Sequence, residues 1–229
     1  MQPLAAPALQ QLLDLVNVLA GAAGVRWNSG GFVTRVRDAL NEGGASIIGT
    51  RGQAVRIFYT SGPKVDVAPV FALQGGGYFL PNGTGGWMTT NPDFHRDWIV
   101  ERHRELNYHL KPLARAIKRW NCVHCERLSS FHIEVMVGRI FSSLGSDCRQ
   151  AVAMFFTHAS NYLHVNDPAG HSGDLAAKFT WNKQQAILQS FTSARDRADK
   201  AVAAEARGDH AEAIRLWRIV FGDEFPSYG

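Results

Sequence analysis

A single carboxylate interrupts an otherwise apolar segment of this chain. Asp66 stands between Val65 and Val67 in the run Val-Asp-Val-Ala-Pro-Val-Phe. Because side chains alternate along a strand, Asp66 lies on the face opposite its two valine neighbours. A carboxylate in such a position can hold a divalent cation, although metal sites for phosphoryl transfer normally use more than one. The alternative is a solvated aspartate on the open face of a half-buried sheet.

A predicted helix further along the chain carries a stripe of cations. At helical spacing, four basic residues fall on one side: Lys111, Arg115, Lys118 and Arg119. Apolar residues fall on the other side, which predicts an amphipathic helix with one buried face. A cation cluster combined with a strand carboxylate suits a metal-bound triphosphate. The alternative is an ordinary solvated charged face.

The segment around Cys122 and Cys125 has the Cys-x-x-Cys pattern, with His124 inside it. A zinc site needs four ligands, and neither Cys148 nor His132 completes a second pair at ligand spacing. A redox dithiol needs a thioredoxin-like context, which the surrounding sequence does not offer. We therefore expect packed thiols and no zinc. A zinc-containing protein that binds nucleic acid is kept as an alternative hypothesis.

Composition limits the class of protein. The 229 residues are 45% hydrophobic and 19% charged, which favours a folded chain with a sizeable core. No apolar run reaches the roughly 18–20 residues of a membrane span. Three cysteines make no disulfide framework, and the first ten residues lack the positive charge of a signal peptide, so we expect a cytoplasmic protein. The net charge of +4 allows an anionic ligand, and we expect neither nucleic acid nor membrane as a partner.

The order of the predicted elements indicates an α+β fold. A helix at residues 32–40 precedes two alternating strands at 53–59 and 65–71, joined by a turn to form a hairpin. A glycine-rich segment, residues 75–86, follows as a loop or irregular hairpin. Helices are predicted at residues 93–107, 112–120, 128–144, 148–163 and 178–207, and from Asp209 onward, where Glu212 suggests a capping box. We therefore predict a sheet domain at 1–92 and a helical domain at 93–229.

Six short motifs in a fixed order resemble those of one protein family. They are Gly-Gln-Ala-Val-Arg at 52–56, the Asp66 strand, Gly-Gly-Tyr-Phe-Leu-Pro-Asn at 76–82, Thr-Asn-Pro at 90–92, the run at 113–121, and Leu-Ser-Ser-Phe-His-Ile-Glu at 128–134. The closing segment at 221–226 matches as well. In this order the motifs resemble the bacterial CD-NTases, also called SMODS nucleotidyltransferases, which are relatives of cyclic GMP–AMP synthase and oligoadenylate synthase.

The resemblance implies a polymerase-β-like nucleotidyltransferase lobe, with a mixed sheet, packed on a C-terminal helical lobe. Such enzymes join nucleoside triphosphates into cyclic oligonucleotide second messengers for antiphage defence, using Mg²⁺. By motif, Asp66 resembles a catalytic, metal-binding carboxylate. Lys118 resembles the helix lysine that contacts the triphosphate, and Ser130 resembles the serine that assists it.

The sequence also departs from the family pattern. Upstream of Asp66 it contains neither the Gly-Ser motif nor the Asp-x-Asp strand that supply two further metal carboxylates and the phosphate-binding amides. We therefore expect a sheet that is incomplete at its start and a truncated chain that is inactive alone. The alternative is a non-catalytic pseudoenzyme that binds nucleotides or a protein partner. The identity of any regulatory partner is left open.

Overall fold

The chain divides into two compact units, residues 1–92 and 93–229. The computed structural model describes residues 29–42, 47–58, 64–124 and 127–228. Across these stretches, none of the helices combines the length and the apolar character that crossing a bilayer requires.

One helix and a three-stranded antiparallel sheet form part of the first unit. The elements are α1 (Ser29–Glu42), β1 (Ile47–Arg51), β2 (Ala54–Phe58) and β3 (Val65–Val67). Val33, Val36 and Leu40 recur at helical spacing on α1 and pack with Val55 and Ile57 of β2. Because side chains alternate along β2, Arg56, which lies between Val55 and Ile57, points to the opposite face.

A second three-stranded antiparallel sheet also belongs to the described part of the first unit. Its strands are β4 (Phe71–Ala72), β5 (Tyr78–Pro81) and β6 (Trp87–Thr90). Stacked aromatic rings pack this sheet against α1, where the ring centroids of Phe32 and Phe71 are 4.8 Å apart. A second stacked pair joins β5 to β6, where the ring centroids of Phe79 and Trp87 are 4.9 Å apart. Since Phe32 belongs to α1, this helix contacts both sheets.

The α+β class is confirmed, but the described strands form two antiparallel sheets where we expected one mixed sheet. The strand predicted at 65–71 is broken, because β3 ends at Val67 and β4 begins at Phe71. Pro69 lies in the gap, and proline has no N–H to donate to a ladder. The strand β1 was not predicted. The predicted hairpin turn lies outside the described residues.

The second unit is helical. Its helices are α2 (Pro92–Glu105), α3 (Leu110–Val123), α4 (Ser130–Ile140), α5 (Cys148–Ala159), α6 (Trp181–Ala206) and α7 (His210–Phe221), with a short 3₁₀ helix at Ser160–Tyr162. Every helix predicted in this half is present. The largest difference is at residues 128–144, where the helix is shorter because it begins after Ser129 and its backbone becomes extended at Phe141.

Large aromatic side chains fill the core of the helical unit. The Trp120 ring lies 4.9 Å from that of Phe156 and 5.5 Å from that of Phe191. Burial of one such side chain contributes about 1.5–3 kcal/mol. Along α6, small buried residues allow neighbouring helices to approach closely: Ala194, Ala198, Ala201 and Ala204.

A buried amide joins α3 to α4. The side chain of Asn121 donates to the carbonyl of Leu128 at 2.9 Å and accepts from the Leu128 N–H at 3.0 Å. Both backbone groups of Leu128 are therefore satisfied by one side chain, two residues before α4 begins. This pair of hydrogen bonds fixes where α4 starts relative to α3.

Polar side chains at the helix starts satisfy exposed N–H groups. Ser129 accepts from the N–H of His132 at 3.2 Å, and Asp209 accepts from the N–H of Glu212 at 3.1 Å. The predicted capping box at Asp209 is only half formed, because the Glu212 carboxylate binds Arg215 at 2.6 Å.

His132 is buried in the middle of this unit. Its Nε2 donates to the carbonyl of Leu163 at 2.8 Å, and its Nδ1 has no hydrogen-bond partner in the described part of the chain. Burial lowers the pKa of His132, since it penalises the charged ring more than the hydrogen bond to Leu163 favours it. The folded protein therefore holds this imidazole neutral.

Neutral His132 makes stability depend on pH. The unfolded chain takes up a proton near the ordinary pKa of 6.5, and the folded chain does so only at lower pH. Its contribution is therefore complete above pH 6.5 and is lost as the pH falls, by about 1.4 kcal/mol for each unit of pKa depression. We expect His132→Gln to reduce the loss of stability between pH 7 and pH 5, measured by urea unfolding.

His164 provides the contrasting control. Its hydrogen bond to Asp174, at 2.7 Å, raises the pKa of His164. The stabilising contribution of His164 is therefore present at low pH and is lost as the pH rises. His164→Gln should change the pH profile in the opposite sense. The same pH profile for wild type and His132→Gln would contradict the assignment of a neutral buried ring.

Candidate functional site

Asp66 lies in the centre of β3, directly opposite Arg56 of β2. The two side chains form a bidentate ion pair, with Arg56 Nε 2.6 Å from Oδ1 and Nη2 2.7 Å from Oδ2 of Asp66. The hydrogen bond that Arg56 donates to Asp66 raises the pKa of Arg56, which stays charged. The carboxylate is on the sheet face opposite the side packed against α1, as alternation predicts.

The described residues do not by themselves fit a divalent metal ion. Both oxygens of Asp66 accept from Arg56, so a metal would have to compete with a guanidinium already in bidentate geometry. No group of three or more His, Cys, Asp or Glu side chains in the described stretches is arranged to hold a metal. One carboxylate paired with arginine is an ion pair rather than a metal site.

Lys118 lies on α3, beside its buried face. Leu113, Ile117 and Trp120 bury that face, and the Lys118 side chain remains about 30% exposed. Its ammonium forms an ion pair with the carboxylate of Glu134 on α4. Sequence reasoning did not identify Glu134, although it stands four residues after Ser130, a spacing that places both on one face of a helix.

Ser130 is the first residue of α4 and is exposed. The N-capping hydroxyl of this helix belongs to Ser129. The two neighbouring serines therefore differ: Ser129 accepts from the backbone, whereas Ser130 lies one turn before Glu134, the partner of Lys118. The structure thus brings Lys118 and Ser130 onto neighbouring helices of one unit, while Asp66 belongs to the other unit.

A cavity of about 430 Å³ opens beside Lys118. Its lining is basic, with Lys111, Arg115 and Lys118 contributed by α3. His103 and Tyr108 add aromatic surface, and their ring centroids are 5.3 Å apart in an edge-to-face arrangement. Burial, and then the charges of Lys111 and Arg115, lower the pKa of His103. The cavity suits an anionic ligand with several charges.

The join between α2 and α3 forms one wall of this cavity. Asn107 and Tyr108 have φ angles of 51° and 63°, and Tyr108 is 65% exposed. Left-handed backbone is uncommon for a bulky side chain, so this wall is held in a strained conformation. Periodicity alone gives no signal for such a turn without glycine.

Arg119 does not belong to the cation stripe that the sequence predicted. Its Nε donates to the carbonyl of Phe221 at 2.9 Å, and its Nη1 lies 2.8 Å from Glu224. Adjacent helical positions point about 100° apart, so Arg119 faces α7 while Lys118 faces the cavity. The phosphate-binding candidates are therefore Lys111, Arg115 and Lys118.

The Cys-x-x-Cys segment shows no metal-binding geometry in its described part. His124 Nε2 lies 3.2 Å from the carbonyl of Val220 and Cys122 is exposed, while Cys125 lies outside the described residues. Burial raises the pKa of the Cys148 thiol, which keeps it protonated. These contacts do not favour the zinc hypothesis.

Comparisons with known proteins find cyclic nucleotide synthases among the relatives of this chain. No protein-family model matches the chain. It is 29% identical over 172 residues to a probable cyclic nucleotide synthase of Bacillus cereus, covering 71% of this chain and 52% of that protein. It is 27% identical over 176 residues to a cyclic AMP-AMP-AMP synthase of Acinetobacter, covering 71% and 50%. The chain thus spans about half the length of the curated relatives it matches.

Solved structures show the same fold. CdnC of Escherichia coli with ATP matches with a TM-score of 0.75 at 19% identity, covering 90% of this chain and 76% of that chain. CdnC in its complex with HORMA-deltaN matches with a TM-score of 0.72 at 20% identity, covering 87% and 73%. The polymerase-β-like fold is therefore confirmed. In sequence the chain is similar to cyclic nucleotide synthases, and its fold is that of CdnC, as the resemblance to the CD-NTases implies.

Proposed function

We propose that this chain is a nucleotidyltransferase polypeptide of the cyclic oligonucleotide synthase type, truncated and inactive alone. Enzymes of this type join nucleoside triphosphates into a second messenger for antiphage defence. Its similarity to cyclic nucleotide synthases supports the reaction class. The observation that carries the substrate class is the basic cavity lined by Lys111, Arg115 and Lys118. CdnC, which has the same fold, has been solved with ATP.

In this proposal the helical unit binds the phosphate groups of the nucleoside triphosphate. The Lys118 ammonium binds terminal phosphate oxygens. Ser130 does not line the cavity, so in this proposal its exposed hydroxyl donates to phosphate oxygens that extend past the cavity to the start of α4. A negative ligand at the N-terminus of α4 is also favoured by the helix dipole. Lys111 and Arg115 add positive charge along the cavity wall.

The catalytic role of Asp66 is the part that the structure supports least. In the family resemblance this carboxylate binds Mg²⁺, but the described residues do not fit that ion while Arg56 holds both carboxylate oxygens. We therefore propose that the chain by itself binds nucleoside triphosphates and does not complete the transfer. The same ion pair favours the second candidate function, a non-catalytic nucleotide-binding pseudoenzyme.

Location and partners belong to the proposal as well. We propose a cytoplasmic protein, in keeping with its nucleotide substrates. CdnC forms a complex with HORMA-deltaN, and a protein partner for this chain is proposed by analogy of fold, without an assigned identity.

Removal of the Lys118 ammonium should weaken triphosphate binding. We expect Lys118→Ala to reduce ATP affinity by about 1.5–3 kcal/mol, the range for a charge-assisted hydrogen bond. Calorimetric titration at fixed ionic strength measures this. Lys200→Ala, which removes an exposed lysine of α6, is the matched control and should leave affinity unchanged. Equal ATP affinity of wild type and Lys118→Ala would show that Lys118 does not bind phosphate.

Substitutions of Ser129 and Ser130 allow an effect on folding stability to be distinguished from an effect on ATP binding. Ser129→Ala removes the N-cap and should cost about 0.5–2 kcal/mol of folding free energy with little change in ATP affinity. Ser130→Ala should leave stability nearly unchanged and weaken ATP binding by about 0.5–1.5 kcal/mol, the worth of one hydrogen bond. Thermal unfolding and ATP titration of both variants test the pair. A binding loss in Ser129→Ala alone would reverse the two assignments.

Catalysis can be tested on the same purified chain. With Mg²⁺ and mixed nucleoside triphosphates we expect little or no cyclic product, because Arg56 neutralises Asp66. ATP binding should persist in EDTA and in Asp66→Asn. Asp196→Asn, at an exposed aspartate paired with Arg195, is the control. Clear product formation that Asp66→Asn abolishes and Asp196→Asn does not would refute both the inactivity and the pseudoenzyme alternative.

A further inference from the structure

The Lys118 ammonium is already paired. Its partner, the Glu134 carboxylate, is about 30% exposed, as is Lys118 itself. Glu134 also lines the basic cavity, and it is the one acidic residue to do so in the part of the chain that the structure describes. The cation best placed to bind phosphate therefore shares its site with a negative charge.

The backbone that carries Glu134 is firmly held. Its neighbours Ile133, Val135 and Met136 are buried, and Ser129 caps the helix one turn earlier. The preceding segment is fixed by the buried amide of Asn121. Any change in the Lys118–Glu134 contact must therefore come from side-chain rotation, since α4 itself has little freedom to shift.

Exchange of this contact for a phosphate contact is physically reasonable. Ion pairs with solvent access are weak, because water screens the attraction and two long side chains lose freedom. A triphosphate carries several negative charges and repels the Glu134 carboxylate at close range. Lys111 and Arg115 in the same wall attract the ligand, but they do not cancel the carboxylate next to Lys118.

We propose that Glu134 is a displaceable counter-ion that competes with phosphate for Lys118 and thereby lowers the resting affinity of the cavity for triphosphates. The inference rests on the proposed function, since it assigns a positioning residue to the same phosphate site. Ligand binding turns the Glu134 carboxylate toward solvent and transfers the Lys118 ammonium to phosphate. No covalent step is involved.

The test uses the full chain, titrated with ATP and with inorganic tripolyphosphate in EDTA. Glu134→Gln removes the charge and keeps the side-chain size, and we expect it to tighten binding of both ligands roughly threefold to tenfold. Glu212→Gln makes the same change in net charge on α7, where Glu212 pairs with Arg215, and should have little effect. Thermal unfolding of each variant checks that the fold is intact.

A double-mutant cycle isolates the pair. With Lys118→Met as background, Glu134→Gln should tighten binding less, because no ion pair remains to be broken. A merely structural Glu134 predicts a loss of affinity in Glu134→Gln, so a gain distinguishes the two roles.

The outcomes separate the inference from the proposed function. Unchanged or weaker binding in Glu134→Gln, with weaker binding in Lys118→Met, would overturn the counter-ion role and leave the phosphate site standing. Equal tightening in both Lys118 backgrounds would show a general charge effect and also overturn it. No binding of either ligand by wild type and Glu134→Gln would overturn the proposed function and this inference together.

Discussion

The candidate site depends on the buried amide of Asn121. Lys118 precedes it by three residues on α3, and Leu128, which it binds through both backbone groups, lies two residues before Ser130. The amide therefore links the helix that carries the cation to the start of the helix that carries the hydroxyl. An unpaired buried amide or carbonyl costs about 1–3 kcal/mol, so this link is strongly favoured over any slipped arrangement.

The helical unit uses its two kinds of cation differently. Arg102 donates to the carbonyls of Gly138 and Phe141, at 3.0 and 2.6 Å, where α4 ends. Arg119 donates in the same way to Phe221 at the end of α7. Planar guanidinium groups suit such fixed multidentate contacts, whereas a lysine ammonium is compact and can change partners. Arg102 and Arg119 thus hold the ends of two helices in place, whereas Lys118 can exchange its partner for a ligand.

Sequence patterns predicted the structural features that depend on the spacing of nearby residues. Apolar periodicity located the helices of the second unit, and alternation placed Asp66 on the open sheet face. The family resemblance pointed to Lys118 and Ser130, which lie on neighbouring helices. The order of the elements predicted that Asp66 belongs to the sheet domain and that Lys118 and Ser130 belong to the helical domain.

Contacts between distant residues were not predictable in this way. The pairing of Arg56 with Asp66 requires the strand register, which depends on a turn rather than on either residue. The pairing of Lys118 with Glu134 depends on how α3 packs on α4, which sequence spacing does not show. Arg119 was assigned to the wrong surface because a stripe of residues at helical spacing is wide enough to face two neighbouring elements. Pro69 was read inside a strand, although its missing N–H marks the break.

The left-handed residues between α2 and α3 set a limit on how far the protein can be stabilised by substitution. Each such conformation costs on the order of 1–3 kcal/mol when the residue is not glycine, and Tyr108 is among the residues least suited to it. A selection for thermal stability alone would replace Tyr108 by glycine. That change would remove an aromatic ring from the wall of the basic cavity. Tyrosine at this position thus costs backbone stability and supplies an aromatic ring to the cavity wall, and laboratory stabilisation that keeps this surface should leave it untouched.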